Sequence, residues 1–173
     1  MQTIIRKLPK GPSLYLKLKD GIVVCRLFEK VAFNHVERII ELVNAGSYNN
    51  VVFHRVIEGF MAQTGDVLFG NHEKNFTPDR CGTGSSEKPD LAQEFSDFPF
   101  DRGVLGMARS QDPNSANSQF FIMLQDGHFL NGNYTVFGKV TRGMKFVDRI
   151  KKGDSNLNGA VENPDMIISA WLK

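Results

Sequence analysis

The chain has 173 residues, 41% of them hydrophobic, enough to bury one sizeable core, and it reads as a single domain over 1–173. Its 21 basic and 19 acidic residues leave a formal charge of +2 with no long like-charge block, which argues against a nucleic-acid binder and favours neutral or mixed partners. No apolar run approaches the roughly 20 residues of a membrane-spanning helix, so no membrane role is expected.

Residues 1–12 read as an amino-terminal extension. Basic residues near the start are followed by no apolar stretch of the kind a secretory leader needs, so the cytoplasm is the expected compartment, with the periplasm as the alternative if a leader has been removed. Leu14, Leu16 and Leu18 then alternate with Tyr15, Lys17 and Lys19 at strand period, and a second apolar run spans 22–28. Asp20-Gly21 between them predicts a tight hairpin turn in which the glycine supplies a positive backbone angle. Val36, Ile39, Ile40 and Val43 switch to helical period; Asn34 is the expected cap, Glu37 its capping-box partner, and Gly46 the stop.

Further strand-like runs fall at 51–56, 60–63, 104–108, 119–124, 135–140 and 166–172, and a second helix is expected over 144–151, stopped by Gly153. Eight short strands and two helices predict a mainly β fold, with a closed barrel favoured because closure removes exposed sheet edges. The segment 67–90 carries Gly70, Pro78, Gly82, Gly84 and Pro89 with little periodicity, and is too long for an ordinary connection. It is either functional or a mobile insertion. Cys25 in an apolar run and Cys81 in this loop match neither a disulfide framework nor zinc-ligand spacing, and read as a buried thiol and a loop thiol.

Chemistry concentrates in three segments. In Phe53-His54-Arg55-Val56-Ile57, period two would put Phe53, Arg55 and Ile57 on one face, and the plainer reading of Arg55 alone is a packed stem with its head in water or on an acidic partner. Gly59-Phe60-Met61-Ala62-Gln63 then brings an aromatic, a thioether and an amide close behind it, an unusual set to find with a guanidinium. In Ser118-Gln119-Phe120-Phe121-Ile122-Met123, period two puts Gln119, Phe121 and Met123 on one face and Phe120 and Ile122 on the other. That fits a strand buried on both faces, or one face in the core and the other in a groove. No serine has a nucleophile-elbow context, neither cysteine a histidine motif, and His35, His54, His72 and His128 have no ligand spacing, so neither a hydrolase nor a metal site is expected. His72 with Glu73 reads as a solvated pair.

The stretch from Phe53 to Asp66 resembles the signature of the cyclophilin family of peptidyl-prolyl isomerases, and Asn117-Ser118-Gln119-Phe120-Phe121-Ile122 and the run from Leu130 to Val140 resemble its two later motifs. The similarity covers about 14–172. It implies a closed eight-stranded antiparallel barrel capped by two helices, with a substrate groove on the outer face and no cofactor. It also implies that Arg55 is the catalytic arginine and that Phe60, Met61, Phe121 and Leu130 form a cup for the substrate proline. Gln63 and the backbone around Ala108 and Arg109 would hold the peptide, Gln119 would support the groove, and Phe129 and Tyr134 would take the remaining rim positions. The implied partners are proline-containing peptides and client proteins met by a monomer; a proline-peptide binding or chaperone module on the same fold is the alternative. Phe129 stands where a tryptophan is usual in eukaryotic members and Tyr134 where a histidine is usual, both as in bacterial members, so weak cyclosporin binding is expected. Phe33 replaces a frequent proline, and the 67–81 loop is longer than the eukaryotic version.

Overall fold

The alternation at 14–18 becomes the first strand, β1 (Ser13–Lys17), which buries Leu14 and Leu16 and pairs with β2 (Ile22–Leu27). The connection between them is not the tight positive-φ turn expected. Four residues separate the strands, Leu18 N–H donates to Gly21 O at 2.9 Å, and Gly21 is absent from the residues with positive φ. A Cβ there would lie 2.5 Å from the Phe146 ring, so this glycine answers to a neighbouring aromatic and not to backbone torsion. The computed structural model describes residues 7–173, and the part of the expected extension at 1–6 lies outside the described residues.

The first helix, α1 (Phe33–Asn44), begins two residues earlier than an Asn34 cap requires, and Asn34 sits inside it. Its N-terminal donors are satisfied from far along the chain: Asn34 and His35 N–H donate to Glu94 Oε1 and Oε2 at 3.1 and 3.0 Å, and the buried His35 imidazole also bonds this carboxylate through Nδ1. Gly46 ends the helix as expected. It adopts φ 72°, while its N–H bonds Val43 O and Ser47 N–H bonds Leu42 O, which is the Schellman arrangement.

The remaining strands are β3 (Val51–Val52), β4 (Arg55–Ile57), β5 (Met61–Thr64), β6 (Val104–Met107), β7 (Phe120–Met123), β8 (Val136–Arg142), β9 (Met166–Ile167) and β10 (Ser169–Leu172), and the second helix is the shorter α2 (Met144–Asp148). Each of the eight sequence runs contributes one strand to an antiparallel sheet ordered β10-β1-β2-β8-β6-β7-β5-β4. The expected closed barrel is a correction, however: β10 and β4 are open edges of a curled half-barrel. The runs 51–56 and 166–172 each break in the middle, and their outer halves, β3 and β9, pair in a separate two-stranded sheet. Single hydrogen bonds stitch the seam in place of a ladder: Phe53 N–H to Asp165 O, Val161 N–H to His54 O, and Val56 N–H to Gly159 O, at 2.7, 3.1 and 2.9 Å. The break at 53–54 also turns Phe53 away from the side of Arg55 and Ile57, where strand period would have put it, and into the core with Val56.

Around β5, β6 and β7 the sheet is covered on both faces, whereas β1 and β2 bury only one. On one side the main core joins Leu14, Leu16, Val23, Phe120, Ile122 and Phe137 to Val36 and Ile39 of α1. On the other a smaller cluster forms from Phe28, Met61, Phe98, Phe100, Phe121, Met123 and Leu130. Strand β7 divides its side chains between the two as period two requires, and each such burial contributes about 1.5–3 kcal/mol. No helix among the described residues is long and apolar enough to cross a membrane.

Burial alone would raise the Glu94 carboxyl, but bonds from the His35 side chain and from the Asn34 and His35 backbone outweigh it and hold the carboxyl below its ordinary value. Burial, with the Arg38 charge, lowers the His35 imidazole below its ordinary value against the opposing pull of Glu94. A depressed carboxyl supplies stability that is complete above the unfolded-state value and is lost as pH falls through the folded one. Glu94→Ala is therefore expected to cost about 1–3 kcal/mol in urea unfolding near neutral pH. The gap from wild type should narrow on acidification; a gap that widened would contradict the capping role.

Candidate active site

The smaller cluster is roofed along only part of its length, and where the roof ends an open groove of about 680 Å³ exposes it. The floor is made by Met61 of β5 and Phe121 of β7, held by cross-strand register: Met61 faces Met123 and Gln63 faces Phe121. Phe121 stacks on Phe100 with centroids 5.8 Å apart and meets Tyr134 edge-on at 5.9 Å. A Cβ at Gly106 would fall 2.5 Å from Phe121 and 2.6 Å from Phe100, so this β6 glycine leaves room for the stack. Phe60 and Phe129 lie 5.5 Å apart on the rim, and Phe129 is 71% exposed. Leu130 is buried at the end of the 3-10 turn His128–Leu130, which also presents Phe129.

On the opposite wall, Arg55 of β4 faces Gln63 of β5. Its Nη1 donates to Gln63 Oε1 at 3.2 Å, Gln63 Nε2 donates to Gln119 Oε1 at 3.0 Å, and Gln119 Nε2 donates to Gly82 O and Gly84 O at 3.0 and 2.9 Å. The other edge of the guanidinium is held by one residue: Arg55 Nε donates to Asn158 O at 2.9 Å and Nη2 to Asn158 Oδ1 at 3.1 Å. Partial burial lowers Arg55 from its ordinary value, but a guanidinium stays charged in the neutral range.

Of the residues singled out in the sequence, Arg55, Phe60, Met61, Gln63, Ala108, Arg109, Phe121, Phe129, Leu130 and Tyr134 line this one groove. Gln119 stands just behind them and lines an adjoining polar pocket of about 390 Å³. Arg109 bridges its own loop and the segment after the 3-10 turn, donating to Ser110 O and Asn133 O, with its guanidinium 4.4 Å over the Tyr134 ring. Sequence reasoning missed Asn158, Leu157, Thr83 and Gly82, and did not place His54 in the wall. An Asn158-Gly159 turn signal was available, but nothing local ties it to an arginine 103 residues away. Burial depresses His54 to about 4, so its imidazole is neutral, and its buried Nδ1 has no hydrogen-bond partner among the described residues.

Residues 13–171 match the family model described as cyclophilin type peptidyl-prolyl cis-trans isomerase. The chain belongs to the cyclophilin family. A probable peptidyl-prolyl cis-trans isomerase of Brucella suis is 62% identical over 93% of this chain and 82% of its own length, and peptidyl-prolyl cis-trans isomerase B of Escherichia coli is 35% identical over 87% and 92%. Among solved structures, a cyclophilin-type isomerase of Cryptosporidium parvum, crystallised in the presence of the dipeptide Ala-Pro, is similar at TM-score 0.77 and 26% identity over 93% of this chain and 98% of its own. A cyclophilin from Hirschia baltica, 24% identical over 96% of this chain and 75% of its own, shows the same fold at TM-score 0.77.

In this cyclophilin the long 67–90 loop is tied down from beneath. The buried Asp66 carboxylate accepts from four backbone N–H groups, Leu68 and Phe69 through Oδ1 and Gly82 and Gly84 through Oδ2, at 2.7–3.1 Å. Asn117 bonds Ser86, Lys88 O and Asp90, and the buried Arg38 reaches Pro89 O. The carbonyls that receive Gln119 are therefore fixed by a carboxylate on the other side of the same loop. Burial raises both thiols to about 12, and the nearby Asp66 adds to this at Cys81. His72 and Glu73 lie 3.4 Å apart, both exposed.

One trio among the described residues, Asp101, Asp126 and His128, brings potential metal donors within 4.8 Å of one another, a grouping that the spacing along the chain did not reveal. Its atoms already serve each other and the backbone. His128 bonds Asp101 at 2.7 Å, and Asp126 accepts from Arg102 N–H at 2.7 Å.

Asp66→Asn replaces one acceptor oxygen with a donor, leaving either the 68–69 or the 82–84 amides without a partner. Each stranded group costs about 1–3 kcal/mol. Hydrogen exchange followed by NMR should show one of those two amide pairs exchanging faster; unchanged protection of all four would rule out the tether.

Proposed function

We propose that this groove isomerises X-Pro bonds in peptides and in folding protein chains, with Arg55 stabilising the twisted amide while the apolar cup holds the proline ring. An X-Pro bond is kept planar by resonance behind a barrier of about 18–20 kcal/mol, and no covalent bond need break to cross it. What is lost at the top is the partial double bond, and a localised lone pair appears on the proline nitrogen. A fixed donor aimed at that nitrogen binds the twisted state better than either planar isomer, and differential binding of this kind is what lowers a barrier.

The observation that carries this reading is an arginine locked at the edge of an apolar cup with donors to spare. Of five guanidinium N–H groups, three are committed to Asn158 and Gln63, leaving one on each terminal nitrogen. An acceleration of about 10⁵ requires roughly 7 kcal/mol, whereas one hydrogen bond to a charged group is worth about 1.5–3 kcal/mol. The cup of Phe60, Met61, Phe121 and Leu130 supplies much of the rest by fixing the ring and excluding water that would weaken the cation's field. Gln63 and the Ala108 and Arg109 backbone hold the flanking chain. The Ala-Pro dipeptide present with the Cryptosporidium relative is the smallest ligand that such a cup and arginine would select.

Exchange NMR on a short Ala-Pro peptide tests the division of labour. Arg55→Ala should cut the exchange rate at saturation by about 10–100-fold with binding largely kept, whereas Phe60→Ala should weaken binding as well. Isomerisation by Arg55→Ala at the wild-type rate would end this mechanism and leave a proline-peptide binding module.

Cyclosporin should bind weakly, because Phe129 has no indole N–H with which to hold it. Phe129→Trp should tighten inhibition by about five- to ten-fold, the worth of one net hydrogen bond. Nanomolar inhibition of the unaltered protein would refute this account of the rim.

A further inference from the structure

The Arg55 guanidinium is gripped along its Nε and Nη2 edge by two oxygens of a single residue, the backbone carbonyl and the side-chain carbonyl of Asn158. Such a parallel fork of donors is the geometry that a carboxylate ordinarily fills. None of the ion pairs among the described residues involves Arg55, and no aspartate or glutamate lines the groove. Asn158 can aim both oxygens one way because it adopts φ 54° and ψ 33°, a left-handed conformation that asparagine tolerates better than most side chains.

The mount behind this grip is rigid. Asp154 Oδ1 accepts from Asn156 N–H at 2.8 Å, and Gly159 N–H bonds Asp154 O at 2.9 Å, closing the loop on itself. Gly159 O accepts from Val56 N–H, which places the loop directly against β4. A Cβ at Gly159 would come within 2.6 Å of Ile57 and 3.4 Å of the Arg55 stem.

We propose that Asn158 is a positioning residue for the isomerase reaction, an uncharged clamp that fixes the Arg55 fork without neutralising it, so that the full positive charge is turned toward the bound proline amide. A carboxylate here would hold the same fork and cancel much of the field that the reaction uses. A water in its place would leave the guanidinium held firmly only through Nη1, by Gln63. Neutral, bidentate and left-handed is a combination that asparagine meets and aspartate does not. The inference rests on the isomerase reading above.

The test compares Asn158→Gly and Asn158→Asp with wild type in exchange NMR on an Ala-Pro peptide, together with thermal unfolding and the Arg55 side-chain ¹⁵N resonances. Glycine keeps the left-handed backbone and the Nε contact but removes the side-chain oxygen. The rate at saturation should fall about ten-fold with the peptide dissociation constant within about two-fold, and rotation about Nε–Cζ should quicken. Aspartate keeps both acceptors, so that rotation should stay slow, yet turnover should fall by at least as much. Wild-type turnover in the glycine variant would overturn the clamp, and wild-type turnover in the aspartate variant would overturn the need for neutrality. Losses of binding and of thermal stability in parallel with turnover would reduce Asn158 to a structural role. A wild-type protein that fails to catalyse exchange would instead refute the isomerase reading itself.

Discussion

A sheet whose central strands are apolar on both faces must be covered twice there, and much of this molecule follows from how that is done. Helix α1 and the inward face of the sheet bury Phe120 and Ile122 on one side; on the other, Phe98 and Phe100 arrive from an irregular segment to cover Phe121 and Met123. The second cover is incomplete. Where it stops, the outer apolar cluster becomes a groove whose floor is as well packed as a core, because it is one. An apolar ring of the right size could complete a packing arrangement that the protein alone leaves unfinished, which lets one surface be both rigid and receptive.

Rigidity of the polar wall comes from relaying hydrogen bonds across elements. Arg55 is fixed by Gln63, Gln63 by Gln119, and Gln119 by carbonyls that Asp66 holds in place from the far side of the loop. Each amide is oriented because both of its ends are occupied, and a chain of this kind polarises its members toward the cation. The position of one arginine thus depends on a buried carboxylate that touches neither the arginine nor the groove floor. The same wiring explains how a segment of about two dozen residues without regular secondary structure of any length can present carbonyls in fixed positions.

The features legible in the sequence were those set by local period. Alternation at 14–18 and 119–124 located strands and even divided the β7 side chains between two clusters, and the spacing of Val36, Ile39, Ile40 and Val43 located the helix. The motif residues converged because β4, β5 and β7 are sheet neighbours. Illegible were the features decided by distant partners. Glu94 took over the cap expected of Asn34 from 60 residues away, Phe146 gave Gly21 a reason unrelated to its torsion, and Asn158 met Arg55 across 103 residues. Barrel closure failed for a related reason, since a run of strand-forming residues gives no sign of where the ladder will break.

That break has a consequence for a protein that handles extended chains. A three-residue edge strand beside a peptide groove would ordinarily invite strand addition by the very segments it receives. Here Val56 N–H is already given to Gly159 O and Val56 O is taken by Gly153 N–H, while across the seam Asn49 Oδ1 accepts from Ala170 N–H of β10. The unclosed seam is therefore plugged by its own neighbours. An extended polypeptide arriving at β4 finds no vacant ladder there among the described residues, and is not captured as an added strand.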